Sequence, residues 1–316
     1  MVDILISEFM DDAAVAGLVR DFDVLYDPEL VNDPEKLACL MAGVPAIIVR
    51  NQTMVNDALL DAATDLKVVG RLGVGLDNID MDVCKNRDIT VYPALGANTV
   101  SVAELVMGAM FMMFRGAYQS TQETASGGWP RMKLLGREMM GKQLGLVGFG
   151  TIGRAVGMRA RAMGMSVLAY DPALNNNDPL WQEQQTTPVS LDELIETSDA
   201  ISLHVPLSKH TKNLFSRPQL AAMKSDAYLI NTARGGVVDE QALANALKSN
   251  EIGGAFLDVY ETEPLPVGNV LDDVPNLYLT PHVGARTIEA DIRVSNMIAD
   301  AVRNFFKTLE FEILKK

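Results

Sequence analysis

Cysteine and histidine are both scarce in this chain, with Cys39 and Cys84 the only cysteines and three histidines in 316 residues. Two cysteines cannot build a disulfide framework, so a reducing compartment, the cytoplasm, is the expected location. No metal site is expected. Positive charge is also short: 27 Lys and Arg stand against 41 Asp and Glu, giving a net charge of -14 and a pI near 4.7. That balance excludes nucleic acid and anionic membrane surfaces as partners. The longest apolar stretch, residues 102–114, is too short to span a bilayer and contains Glu104, so it reads as a Met-rich core or interface helix. The amino terminus lacks a basic segment followed by a long apolar one, and no signal peptide is expected. There is no internal repeat and no low-complexity tract beyond Asn175-Asn-Asn177.

What is present is an ordinary globular composition, 48% hydrophobic and 22% charged, at a length suited to two domains. The segment Gln143-Leu-Gly-Leu-Val-Gly-Phe-Gly-Thr-Ile-Gly-Arg154 runs an apolar strand into Gly148, Gly150 and Gly153 at GxGxxG spacing and then opens a helix pattern. The first glycine permits a tight turn and the second a close approach of backbone to a pyrophosphate. The third lets helix and strand pack, while the helix amino terminus offers unpaired N–H groups to the anion. A second strand delivers Asp171 eighteen residues after Gly153, suited to accept from ribose hydroxyls. No arginine follows in Pro172-Ala-Leu-Asn175 to meet a 2′-phosphate, so NAD is favoured over NADP.

Apolar runs at 3–6, 46–49, 66–69 and 89–92 predict buried parallel strands ahead of the glycine turn. Six more, at 144–147, 167–170, 200–204, 227–231, 254–258 and 277–280, predict a doubly wound sheet after it. Between them a loop with Gly96 leads to a helix that Asn98 or Ser101 could cap. The amphipathic segment 287–307 follows the last strand and is read as returning to the first domain. The fold class is thus α/β: an NAD-binding domain at 99–287 with a doubly wound parallel sheet, and a smaller flavodoxin-like substrate domain at 1–98 plus 288–316, with a cleft between.

Ligands of open α/β sheets sit beyond the carboxyl ends of the strands. At those ends lie Arg234 in Thr232-Ala-Arg-Gly-Gly236, Glu263 in Val259-Tyr-Glu-Thr-Glu-Pro264, and His282 after Pro281. Each has a bland reading alone, as a surface ion pair, a loop carboxylate or a histidine in a turn. Together they supply an anion clamp, a carboxylate and an imidazole, the set needed to move a hydride from a 2-hydroxy acid while a base takes the hydroxyl proton.

These motifs, with Val69-Gly-Arg-Leu-Gly-Val-Gly-Leu-Asp-Asn-Ile79, His204-Val-Pro-Leu207 and Pro281-His-Val-Gly-Ala285, make the chain resemble the D-isomer-specific 2-hydroxyacid dehydrogenases over nearly its whole length. It is most similar to their 3-phosphoglycerate dehydrogenase-like branch, without room after the last helix for a regulatory domain. The resemblance implies that Arg234 holds the substrate carboxylate, His282 is the acid/base and Glu263 favours its imidazolium. It implies that the amides of Val74 and Gly75 meet the carboxylate. It also implies that Val74, Thr151, Ile152, Val205, Thr232, Ala233, Asp258, Gly284 and Ala285 line the cofactor, and that His204 is structural on the cofactor side and His210 solvent-exposed. A homodimer through the cofactor domains is implied too, with the helix from Val100 and the Gly127-Gly-Trp-Pro-Arg131 loop as contacts; the alternative for the Met-rich face is core.

Arg50, Arg71 and Arg286 are candidates to meet a second anion on the substrate. Arg50 and Arg71 resemble positions that meet the phosphate of 3-phosphoglycerate, whereas Arg286 departs from the small residue common there and could instead pair with Glu289. In so acidic a chain these arginines point to a small 2-hydroxy/2-oxo acid with two negative groups, such as (S)-3-sulfolactate, where sulfur priority makes the D-like arrangement S. Other readings are 3-phosphoglycerate dehydrogenase, hydroxypyruvate/glyoxylate reductase, a sugar-acid or phosphite dehydrogenase and, from a different class, an NAD-sensing binding protein. Formate dehydrogenases commonly carry glutamine where Glu263 stands.

Overall fold

The computed structural model describes residues 2–314, with side chains to residue 308. It divides into two compact units, Met1–Asn98 with Arg286–Lys316, and Thr99–Ala285.

In the first unit β1 (Ile4–Ile6), β2 (Val24–Tyr26), β3 (Ala46–Val49), β4 (Val68–Arg71) and β5 (Thr90–Pro93) form a parallel sheet in the order β2-β1-β3-β4-β5. All residues of β1 and β3 are buried. Helices cover both faces of such a sheet, which is why its central strands read as unbroken apolar runs. Short polar side chains start those helices by taking up orphan amides: Asp11 those of Ala13 and Ala14, Asn56 that of Leu59, Asp80 that of Val83. The last helix, Ile288–Leu314, belongs to this unit and packs Val294, Ile298 and Val302 against Ile48 and Val68. It presses so closely on β4 that a Cβ on Gly70 would lie 2.6 Å from Ile298 Cγ2.

The second unit holds β6 (Gln143–Val147), β7 (Ser166–Tyr170), β8 (Thr187–Pro188), β9 (Ala200–Leu203), β10 (Tyr228–Asn231), β11 (Gly254–Leu257) and β12 (Leu277–Leu279). They form a seven-stranded parallel sheet in the order β12-β11-β10-β9-β6-β7-β8. From β6 the chain passes outward to β7 on one side and later to β9 on the other, so the ends of β6 and β9 flank the crevice where this fold binds ligands. The helix Thr99–Arg115 starts before Ser101, which lies in its first turn and does not cap it. Met107, Met110 and Met113 are core residues packed with Val156 and Ala160 of the helix Thr151–Ala162, while Val100 and Phe111 of the same helix as these methionines stay exposed. Among the described residues, no single helix is long and apolar enough to cross a membrane.

Candidate active site

At the end of β6 the three glycines have three different physical reasons. Gly148 has φ +94°, and a Cβ there would lie 2.4 Å from His204 O at the end of β9. A Cβ on Gly153 would lie 2.4 Å from Gly148 O, so helix and turn touch. Gly150 faces open space, with nothing within 4 Å of a Cβ, and it heads the helix Thr151–Ala162 with no side-chain cap. The first intrahelical bond runs from Arg154 N–H to Gly150 O (3.0 Å), so the amides before it are left for an anion. Thr151 is exposed and Ile152 half-buried at this terminus.

Asp171, one residue beyond β7, accepts the amides of Phe149 (2.8 Å) and Ala173 (2.9 Å). Arg154 Nη1 donates to Phe149 O (3.2 Å), so both peptide groups of Phe149 are held. Val205 leans on Gly148, with Cγ1 3.1 Å from where its Cβ would be. The Thr232 hydroxyl is buried with no hydrogen-bond partner among the described residues, so it can bond a group of a ligand. A dinucleotide fits these residues: uncapped amides for the pyrophosphate, a carboxylate for the ribose, an orphan hydroxyl on the rim. His204 lies beneath the turn, its Nε2 3.0 Å from Ser202 Oγ, and burial pushes its pKa down to about 4, so it is neutral at pH 7. His210 is exposed.

The end of β10 is shaped by Asn231, 1% exposed, whose amide donates to Arg234 O (2.9 Å) while its carbonyl accepts from Ala233 N–H (3.0 Å). This pins the turn that displays Arg234, whose Nη1 also donates to Ala233 O (2.6 Å). Gly235 lies against the Tyr260–Glu261 peptide: a Cβ would stand 1.7 Å from Tyr260 O. The arginine turn therefore abuts the loop carrying Glu263.

Glu263 accepts Tyr260 N–H on Oε1 (3.0 Å) and faces His282 Nδ1 with Oε2 at 2.7 Å. With Nδ1–H donating to the carboxylate, the lone pair of the imidazole is at Nε2. His282 sits at φ +53°, in a turn held from below by Asp258. That carboxylate, 1% exposed, takes the Thr280 hydroxyl (2.6 Å) and Val283 N–H (2.8 Å) on Oδ1 and Gly284 N–H (2.7 Å) on Oδ2. A Cβ on Gly284 would crowd Asp258 Oδ2 at 2.9 Å; Ala285 next to it is half-buried. The Tyr260 hydroxyl donates to Thr280 O (2.7 Å), and its pKa is raised to about 12 by burial first and the Asp258 charge second.

In the first unit, Val74 and Gly75 follow β4, and among the described residues their amides donate to no protein acceptor. Arg71 folds back over the same turn: its Nη1 donates to Leu72 O (3.2 Å) and lies 1.5 Å from where a Cβ on Gly73 would be. Arg50 is less available, because Nη2 is ion-paired with Asp291 of the helix Ile288–Leu314. Its loop is fixed by Glu8, 5% exposed, which accepts the amides of Arg50, Asn51, Gln52 and Thr53. Arg286 is exposed and makes no ion pair among the described residues, so the pairing with Glu289 does not form. Cys84 is buried, which pushes its thiol up and away from the reactive thiolate.

Residues 107–284 match the family described as D-isomer specific 2-hydroxyacid dehydrogenase, NAD binding domain. The chain belongs to this family. It is an NAD-dependent oxidoreductase of the D-2-hydroxyacid dehydrogenase class, with the two parallel-sheet α/β domains the sequence implied. It is 52% identical over 303 residues to an (S)-sulfolactate dehydrogenase of Chromohalobacter salexigens, covering 96% of this chain and 98% of that one. A hydroxypyruvate reductase of Thermotoga maritima is 40% identical over 88% of this chain and 89% of its own. Among solved structures, the D-lactate dehydrogenase of Aquifex aeolicus complexed with NAD and lactic acid superimposes with a TM-score of 0.84. It is 29% identical and covers 96% of this chain and 95% of that one.

Sequence reasoning assigned no role to Asn231, Tyr260, Glu8 or Arg154. For Asn231 a signal existed, since a polar residue ending a fully apolar strand must find partners for its amide. Nothing in the sequence shows that Glu8 reaches four amides more than forty residues away.

Proposed function

We propose that this dehydrogenase interconverts a D-configured 2-hydroxy acid bearing a second anionic group, of the (S)-3-sulfolactate type, and its 2-oxo acid. The observation carrying this reading is the 73–75 turn, where the Arg71 guanidinium lies on Gly73 beside two unpartnered amides. One turn thereby offers two kinds of anion donor. The 52% identity to a sulfolactate dehydrogenase supports the same substrate class.

Bound NAD, held at the Gly148–Gly153 turn and Asp171, would supply the acceptor for the Cα hydride. Arg234 orients the acid group by a planar pair of N–H donors. His282 Nε2 takes the hydroxyl proton, and Glu263, fixed by Tyr260 N–H, stabilises the imidazolium that results. Asp258 and Tyr260 hold the turn on which the imidazole sits. In reduction the proton returns from Nε2 to the carbonyl oxygen. A formed His282–Glu263 pair on an ordered turn favours an enzyme over an NAD-sensing binding protein.

The test is NADH absorbance with (S)-sulfolactate, 3-phosphoglycerate, D-glycerate and D-lactate, and with hydroxypyruvate and glyoxylate in reverse. A kcat/KM at least about tenfold higher for sulfolactate than for lactate is expected; equal values overturn the charged-substrate reading. A homodimer belongs to the proposal, supported by exposed apolar side chains on one stretch of the second unit: Trp129 77%, Met132 88%, Leu135 86% and Met140 73%. Light scattering of the purified protein should give twice the chain mass, and a monomer there overturns the assignment. A cytoplasmic location is the remaining part, in keeping with two unpaired thiols.

A further inference from the structure

We propose that Gly73 determines specificity by acting as a seat for the Arg71 guanidinium; the proposal rests on the charged-substrate reading above. Arg71 ends β4 and the chain turns at once, with Leu72 N–H bonded to Val49 O (2.7 Å), Gly73 N–H to Arg71 O (2.7 Å) and Ala94 N–H to Gly73 O (2.8 Å). These bonds fix the backbone on both sides of Gly73. The guanidinium then occupies the place of the missing side chain: from an ideal Cβ, Nη1 would be 1.5 Å away and Cζ 2.8 Å. No side chain and this arginine position can coexist. Because the colliding atom is the end of a flexible side chain, a substituted Gly73 would expel the guanidinium and leave the strand in place. Gly73 also has φ +153°, a conformation that side-chain-bearing residues rarely adopt.

The seat puts a planar cation on Gly73, the residue that leads into the unpartnered Val74 and Gly75 amides. Those amides can take a carboxylate wherever Arg71 points, whereas a second anion close to the carboxylate needs the guanidinium held back on the turn. A sulfonate or phosphate carries charge for that cation to meet; a methyl group gains nothing from it.

The experiment compares KM and kcat for (S)-sulfolactate and D-lactate, which differ by the sulfonate, in the wild type, Gly73→Ala, Arg71→Ala and the double variant. Gly73→Ala is expected to raise the sulfolactate KM about ten- to a hundredfold, as for a lost hydrogen bond between charged groups. The sulfolactate-to-lactate KM ratio should rise by about the same factor, whatever common shift the φ of +153° imposes on both substrates. Backbone strain alone would move both substrates alike, and that result overturns the seat. In the Arg71→Ala background, Gly73→Ala should leave the sulfolactate-to-lactate KM ratio unchanged; a further change in that ratio also overturns it. A wild-type enzyme that takes both acids equally well overturns the charged-substrate reading and the seat with it. A wild-type preference that survives intact in Gly73→Ala overturns the seat alone.

Discussion

Replacing Glu263 by glutamine should remove most turnover without touching the fold, and the size of the loss follows from two hydrogen bonds. The carboxylate accepts on both oxygens, from Tyr260 N–H on Oε1 and from His282 Nδ1–H on Oε2. Glutamine has one acceptor. If its oxygen keeps the Tyr260 amide, its NH2 faces Nδ1, which must then accept, and the ring proton moves to Nε2. That tautomer cannot take a proton from a substrate hydroxyl. The flipped amide restores the tautomer but sets NH2 against Tyr260 N–H, on a residue only 7% exposed. An amide so opposed costs about 1–3 kcal/mol. The lost charge beside the imidazolium adds only about 1 kcal/mol, a water-like value, because the His282 and Glu263 side chains are 49% and 36% exposed. The sum, about 2–4 kcal/mol, is a fall in kcat of roughly 30- to 1000-fold. Steady-state kinetics by NADH absorbance measure it, with thermal unfolding as the control. The thermal midpoint should move by no more than about 2 °C. A kcat within threefold of wild type would refute the assignment of Nε2 as the base.

Three further outcomes follow from buried groups. Asp258→Asn sets its NH2 against either Gly284 N–H or Val283 N–H, so it should cost about 3–5 kcal/mol in urea unfolding as well as kcat; a loss under 1 kcal/mol contradicts the buttress. His204, held at about 4, binds its proton more weakly in the folded than in the unfolded chain. Stability should therefore fall as pH drops from about 6.5 to 4, by up to about 3 kcal/mol and then no further, and His204→Asn should lack this component in unfolding curves taken at each pH. Glu8→Ala removes the acceptor for four amides and should destabilise the chain by several kcal/mol, on the order of 4, with formate at about 0.1 M restoring part of it. A Glu8→Ala melting point that formate raises no more than it raises that of the wild type would show that formate does not fill the gap.

The central strands were legible because burial on both faces leaves only apolar residues in them, and the glycine turn because each glycine answers a steric demand. β2 escaped notice since its three residues are only half-buried, at an edge between Asp23 and Asp27. β8 is a two-residue edge pairing that includes Pro188. Arg234, Glu263 and His282 were found from their places at strand ends, which topology turns into one rim. Asp258 was expected only as a cofactor neighbour; its two oxygens prove to be engaged by Thr280, Val283 and Gly284. Local pattern says that a buried carboxylate needs donors but does not name them.

The two sheets make the same kind of crevice and use it differently. In the second unit, the crevice between β6 and β9 is left with uncapped helix amides and an open space over Gly150, so a ligand can supply the anion. In the first, the order β2-β1-β3-β4-β5 puts the corresponding crevice between β1 and β3. There Glu8, two residues beyond β1, places its carboxylate on the four amides that follow β3. The chain supplies its own anion, and no ligand anion can take those amides. Two unpartnered amides of the first unit lie one strand over, beyond β4, at Val74 and Gly75 next to Gly73, on which Arg71 rests. On this reasoning the dinucleotide is confined to one unit because the other has filled its own phosphate position.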